Sequence, residues 1–143
     1  MLGNAELALG DMALAQAAFE AAHAIALAIG LPFRHDAVAG LARTALARDD
    51  LAAAMTAVES VLSFIAEGGT LSGSDSPAIR LTCYRVLLRA GDKRAAALLA
   101  AAHADVQARA TAIADPALRD TFLNAFAEHR EIVAAFEMQA RGA

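Results

Sequence analysis

The chain has 143 residues, 58% of them hydrophobic and 20% charged, with a formal net charge of −4, a mean hydropathy of +0.45 and a pI near 5.5. That length suits a single domain, residues 1–143, with a core of its own; the acidic balance argues against nucleic acid as a partner of this segment, because phosphate binding needs a basic face. The single Cys83 excludes an internal disulfide framework and fits a reducing, cytoplasmic setting; the apolar run from Ala21 to Phe33 is too short for a membrane span and holds His23, Gly30 and Pro32, and no basic leader of a signal peptide opens the chain.

Alanine accounts for 41 residues. It is the strongest helix former and the smallest side chain, so helices can approach closely while Leu, Ile, Val and Phe supply most of the burial energy. Leu2 to Leu9 reads as the tail of a helix broken by Gly10-Asp11, so the chain opens in mid-helix, as a trimmed start would. Met12 to Ile29 is a second helix, closed by Gly30-Leu31-Pro32. Phe33 or Arg34 to Arg48 forms the next, Asp49-Asp50 turns the chain with Asp50 as N-cap, and Leu51 to Glu67 follows with Leu51, Met55, Val58, Leu62 and Ile65 at helical spacing. Gly68 to Pro77, rich in Gly and Ser, predicts a mobile or irregular loop. Helices are predicted from about Pro77 to Ala90, with Ser76 as N-cap, and from Asp92 to about Ala114. Asp115-Pro116 starts a further helix carrying Leu118, Phe122 and Phe126. A weak break near Ala127–Glu128 precedes a last amphipathic stretch with Ile132, Val133 and Phe136. No β-branched alternation or hairpin turn signal is present, so the fold class is all-α.

One phrase occurs three times between Ala-rich helices: Leu9-Gly10-Asp11-Met12-Ala13, Ala47-Arg48-Asp49-Asp50-Leu51 and Ala90-Gly91-Asp92-Lys93-Arg94. The period of about 40 residues is that of helix–turn–helix solenoids. In the second helix of each pair, Ala15/Phe19/Ala22 and Ala54/Val58/Val61 fall on one face. The third pair admits two registers, Ala96/Ala100/His103 or Ala95/Leu99/Ala102. The second keeps a bulky residue in the middle and is preferred. Leu2-Gly3, Leu41-Ala42 and Cys83-Tyr84 occupy equivalent places in the first helices.

These residues resemble a tetratricopeptide (TPR) array, with repeats about 1–32, 33–69 and 77–114 and capping helices over 115–141. Asp49 departs from the pattern by standing where Gly is usual. The long repeat and the tail Asp115-Pro116-Ala117-Leu118-Arg119, Phe122-Leu123 and Glu128-His129-Arg130-Glu131-Ile132 resemble the C-terminal repeat regions of large bacterial regulators: ATPase-containing LuxR-type transcriptional activators and ATPase-linked adenylate/guanylate cyclases. That resemblance implies the sensing or protein-binding end of a signalling or transcriptional regulator, whose nucleotide-binding, cyclase and DNA-binding parts are not in these residues.

Chemistry is thinly represented. Cys83 reads as a small core residue, and His23 and His103, in a shared Ala-His-Ala context, lack further ligands at metal spacing. Glu128-His129-Arg130-Glu131 reads as a solvated charged face. There is no phosphate loop with its lysine and no Ser–His–Asp arrangement. A non-enzymatic binding module without cofactor or metal is therefore expected. In TPR arrays the first helices line the concave groove; projecting that frame, Asn4, Asp36, Ala39, Arg43, Leu46, Leu81, Arg85, Leu88 and Arg89 face it. Arg43 and Arg85 hold equivalent positions and Arg89 lies one turn on, so a row of guanidinium groups could clamp an acidic or C-terminal peptide; the same arginines could instead pair locally with Asp36, Asp50 or other neighbours. Two further readings are a homodimer joined through the open N-terminal half-repeat at Leu7 or Leu9 and an effector-sensing pocket in the Ala-rich interior.

Overall fold

The computed structural model of the protein describes residues 10–29, 34–71 and 76–143. Seven helices run through the described residues: α1 Met12–Ile29, α2 Arg34–Ala47, α3 Leu51–Ala66, α4 Ser76–Arg89, α5 Arg94–Thr111, α6 Pro116–Ala125 and α7 Ala127–Arg141. The fold is all-α, with no strand among these residues, and no described helix is long and apolar enough to cross a membrane. The opening half-repeat with Asn4, Leu7 and Leu9, and the Gly30-Leu31-Pro32 stop, lie outside the described residues.

The repeated phrase is a device for turning the chain. Gly10, Asp49 and Gly91 all sit in the left-handed region, at φ +82°, +62° and +66°. After α2 the Asp50 amide donates to the Ala45 carbonyl (2.9 Å) and the Asp49 amide to Leu46 (3.0 Å); after α4 the Asp92 amide donates to Leu87 (2.9 Å) and the Gly91 amide to Leu88 (3.1 Å). This crossed pair closes a helix C-terminus and requires the left-handed residue. The aspartate that follows then opens the next helix: Asp11 accepts from the Leu14 amide, Asp50 from Ala53 and Asp92 from Arg94. Asp49 is the only non-glycine with positive φ among the described residues, so the repeat's irregular letter adopts the regular conformation. Gly68 (φ +87°) closes α3 with the same two bonds. The start of the Gly/Ser segment is thereby more ordered than its composition suggests, and Leu71 is buried in the core.

The helices pack in a recurring arrangement. α4 rests on both α2 and α3, and α7 rests in turn on both α4 and α5. One core joins α2, α3 and α4 through Val38, Ala42, Val58, Val61, Val86 and Leu87; a second joins α4, α5 and α7 through Leu81, Leu99, Val106 and Ile132. The predicted packing faces are realised except at Ala22, which is only partly buried. Ala15, Phe19, Ala54, Val58 and Val61 have no exposed surface, and in α5 it is Ala95, Leu99 and Ala102 that are buried while Ala96 and Ala100 face solvent. The chain breaks at Phe126, whose backbone is extended (φ −95°, ψ 127°). His129 is buried there and does not belong to a solvated charged face: its Nδ1–H donates to the Phe122 carbonyl at 2.7 Å. Arg119 donates to the Ala110 and Ile113 carbonyls (3.1 and 2.8 Å), which caps the C-terminus of α5.

Gly40 sets the approach of α1 to α2. A Cβ at that position would stand 2.1 Å from Cε1 of the fully buried Phe19 ring. Alanine would gain up to about 1 kcal/mol of helix propensity, but overpacking a filled core typically costs about 1–3 kcal/mol, and a rigid ring held on all sides cannot yield far enough to admit a methyl group. Gly40→Ala should therefore lower unfolding stability by about 1–2 kcal/mol net in urea titrations. A stabilised variant would show that the two helices are free to separate.

Candidate functional site

The projected groove residues divide into two groups. Ala39 and Leu81 are buried in the interhelical cores and offer no surface to a ligand, which corrects their assignment to the groove: both face a neighbouring helix. Asp36, Arg43, Leu46 and Arg85 are partly exposed, and Leu88 and Arg89 are exposed.

The arginines do not form a row of open guanidinium groups. Arg43 Nη1 donates to Thr82 Oγ1 on α4 at 3.1 Å, and its guanidinium carbon lies 5.8 Å from the centroid of the Phe19 ring. Burial pushes its pKa below the usual arginine value, with Asp36 opposing. It ties α1, α2 and α4 together, so reversing its charge would test packing rather than ligand capture. Arg85 makes a two-pronged contact with Glu131 of α7, through Nε at 2.8 Å and through Nη2. Arg89 pairs with Asp49 across the turns. Arg85 and Arg89 are thus engaged within the protein, by Glu131 and Asp49 from other helices and turns in place of the expected Asp36 or Asp50.

An open cleft of about 700 Å³ lies where α4, the start of α5 and α7 meet. Tyr84, Leu88, Ala96, Ala135 and Met138 give it an apolar lining, with the Arg85–Glu131 pair on one wall and Lys93 on another. Leu88 is 57% and Met138 72% exposed. Two large apolar side chains left in water beside each other's helices are more informative than scattered exposed residues. α7 supplies one wall, which a projection of the repeat frame does not include. Its signal is nevertheless in the sequence, because Ile132, Ala135 and Phe136 have the inward spacing of a packed helix; the charged run before them obscures it.

Beside the cleft, Arg94 donates to both Asp92 (Nη2 to Oδ2, 2.8 Å) and Glu59 of α3 (Nη2 to Oε1, 2.6 Å). Its hydrogen bond holds the Asp92 carboxyl down at about 2 against an ordinary 3.8. For a carboxyl with a depressed folded pKa, the associated stabilisation is complete above about pH 4 and is lost as pH falls towards 2. Asp92 lies at the protein surface, so its effect on overall stability is small. An NMR titration should place the Asp92 midpoint well below that of a free aspartate, and Arg94→Ala should return it towards 3.8; an unchanged midpoint in the variant would exclude Arg94 as the cause.

Two smaller clefts carry aromatic side chains. One, of about 360 Å³, is lined by His23, Arg34, His35 and Phe64. The His35 and Phe64 ring centroids are 4.4 Å apart, and Arg34 Nε donates to His35 Nε2 at 3.3 Å. Burial, first, and then Arg34 and His23 lower the His35 pKa, which favours the neutral ring that this acceptor role needs. The other, of about 300 Å³, lies among Phe122, Phe126, His129, Arg109 and Glu128. His103 stacks on Phe136 with centroids 3.9 Å apart, as a packing residue does. No group of three potential metal ligands occurs among the described residues.

Cys83 is fully buried, and desolvation pushes its thiol pKa up to about 12. The thiolate is the reactive form, so native protein at pH 8 should react with a disulfide reagent at least about a hundredfold more slowly than the unfolded chain. Comparable rates would indicate frequent opening between α2 and α4.

No family model matches this chain, and no curated protein or solved structure is significantly similar to it.

Proposed function

We propose that the chain is a non-enzymatic protein-interaction module, a short TPR-like solenoid whose ligand lies in the cleft between α4 and α7. The observation that carries this reading is the exposure of Leu88 and Met138 together in one open cleft lined by α4 and α7. The equivalent turns at Asp49-Asp50 and Gly91-Asp92 and the recurring way in which α4 and α7 seat on the preceding pair support a repeat architecture, which characteristically presents extended binding surfaces. Apolar anchors in a central pocket supply most of the energy of such interfaces, and the charges at the edge supply orientation.

Because Glu131 already occupies Arg85, an acidic ligand must displace it. The preferred ligand is a peptide segment with one or two large apolar side chains for Leu88 and Met138 and a carboxylate able to exchange for Glu131. The sequence resemblance to the repeat regions of large bacterial activators and cyclases fits a role inside a signalling or transcriptional regulator in the cytoplasm.

The test is a phage-displayed peptide selection on the full chain, followed by affinity measurement on Leu88→Glu and Met138→Glu. Selected peptides should be rich in apolar residues and lose at least about tenfold in affinity on either variant. Glu131→Gln should favour acidic peptides. Failure to enrich any peptide, or equal binding to all three proteins, would refute the reading.

A further inference from the structure

A second surface lies away from the cleft, on the outer face of α1, a helix that packs on α2 alone among the described helices. Leu14 and Ile25 are 55% and 59% exposed there. Between and beside them Ala17, Ala21, Ala24 and Ala28 are exposed and Ala18 is partly so. Leu14, Ala18, Ala21, Ile25 and Ala28 follow one another at alternating steps of four and three, the spacing of a helix–helix seam. A solvated face ordinarily carries charge. The only Asp, Glu, Lys or Arg within Met12–Ile29 is Glu20, whose carboxylate accepts from Gln16 at 2.7 Å, and Gln16 in turn accepts from Arg48 just beyond the end of α2. Glu20 is thus held at the edge of the face, toward α2.

We propose that this face pairs antiparallel with the same face of a second copy of the chain, about a two-fold axis at Ala21. The seam reads as its own complement. With Ala21 on the axis, Leu14 of one copy meets Ala28 of the other and Ile25 meets Ala18. Every large side chain faces an alanine and no two large ones collide, which is the alternation that lets facing helices interdigitate. Antiparallel alignment also sets the helix dipoles favourably, and an isologous two-fold interface needs no second type of surface. Charge raises no obstacle, since no Asp, Glu, Lys or Arg lies on the seam.

The area sets the strength. Two large exposed side chains and their flanking alanines on each copy amount to on the order of 1,000 Å² in total, the lower bound of a specific interface. The dimer is therefore expected to be weak and reversible, with a dissociation constant of roughly 10 µM.

Sedimentation equilibrium of the full chain from roughly 1 to 200 µM brackets that affinity. The mass should rise from 14.7 kDa towards twice that value, and Leu14→Glu and Ile25→Glu should each weaken association at least about tenfold with the circular dichroism spectrum unchanged. Ala21→Cys tests the register without burying a charge: on the axis it should form an intermolecular disulfide under mild oxidation, whereas Glu20→Cys should not. The buried Cys83 does not compete. A monomer at every concentration, a dimer that persists in a folded Leu14→Glu variant, or equal cross-linking at positions 20 and 21 would overturn the proposal.

Discussion

The rest of the structure depends on a short turn that stops one helix and starts the next. A left-handed residue lets two amides fold back on the last carbonyls of the finished helix, and the following aspartate accepts from the first amides of the new one. Both sets of orphan backbone groups are met within the same segment. The helices on either side then have little choice but to run back along each other. Where the left-handed residue is Asp49 and not glycine, the backbone strain is modest because aspartate tolerates this region better than most side chains. Its carboxylate also reaches Arg89 on the next turn. The substitution therefore links two successive turns where glycine would only have bent one.

Close hairpins permit small side chains, and small side chains require that a few large ones be placed well. The chain meets this with fully buried bulky residues at its helix contacts: Phe19 on α1, Val58 and Val61 on α3, Leu81 and Leu87 on α4, Leu99 on α5 and Ile132 on α7. The missing Cβ of Gly40 is the counterpart of Phe19. Arg43, on the next turn of α2, carries its guanidinium over the same ring and bonds to Thr82 on α4. An arginine that the projected TPR frame offers to a ligand therefore serves chiefly to hold three helices in register, through its stem and planar head group.

The helices and their turns are legible in the sequence because they are local. Gly-Asp punctuation, Asp-Pro starts and 3.6-residue periodicity act within a few residues, and they locate α1 to α6 to within about three residues at either end. Even the choice of Ala95/Leu99/Ala102 over its neighbour follows from the need for a bulky residue in the middle of the face. The groove is less legible because it is made by what arrives from far along the chain. Projecting a repeat frame identifies Arg85 and Leu88 but cannot show that α7 crosses onto α4, brings Glu131 to Arg85 and adds Met138 beside Leu88. It equally cannot show that Ala39 and Leu81 are covered by neighbouring helices. The burial of His129 is hidden for a related reason: a histidine among charges reads as solvated until the break at Phe126 turns it towards the Phe122 carbonyl.

An alanine-rich protein cannot hide its apolar surface by composition alone, so the arrangement of its larger exposed residues carries the functional information. Leu88 and Met138 stand across a cleft between different helices, with charges at its edge. Leu14 and Ile25 stand along a single helix whose outer face is otherwise alanine. A concave site with mixed edges suits a ligand of different shape, entering from solvent and oriented by its charges. A flat, uncharged and self-complementary face suits another helix of the same kind. The two surfaces belong to different helices and share no residue, so occupying one leaves the other open. A pair of chains joined through α1 would then present two clefts at once, and a ligand carrying two copies of the recognised segment would gain affinity from their fixed separation without any new contact.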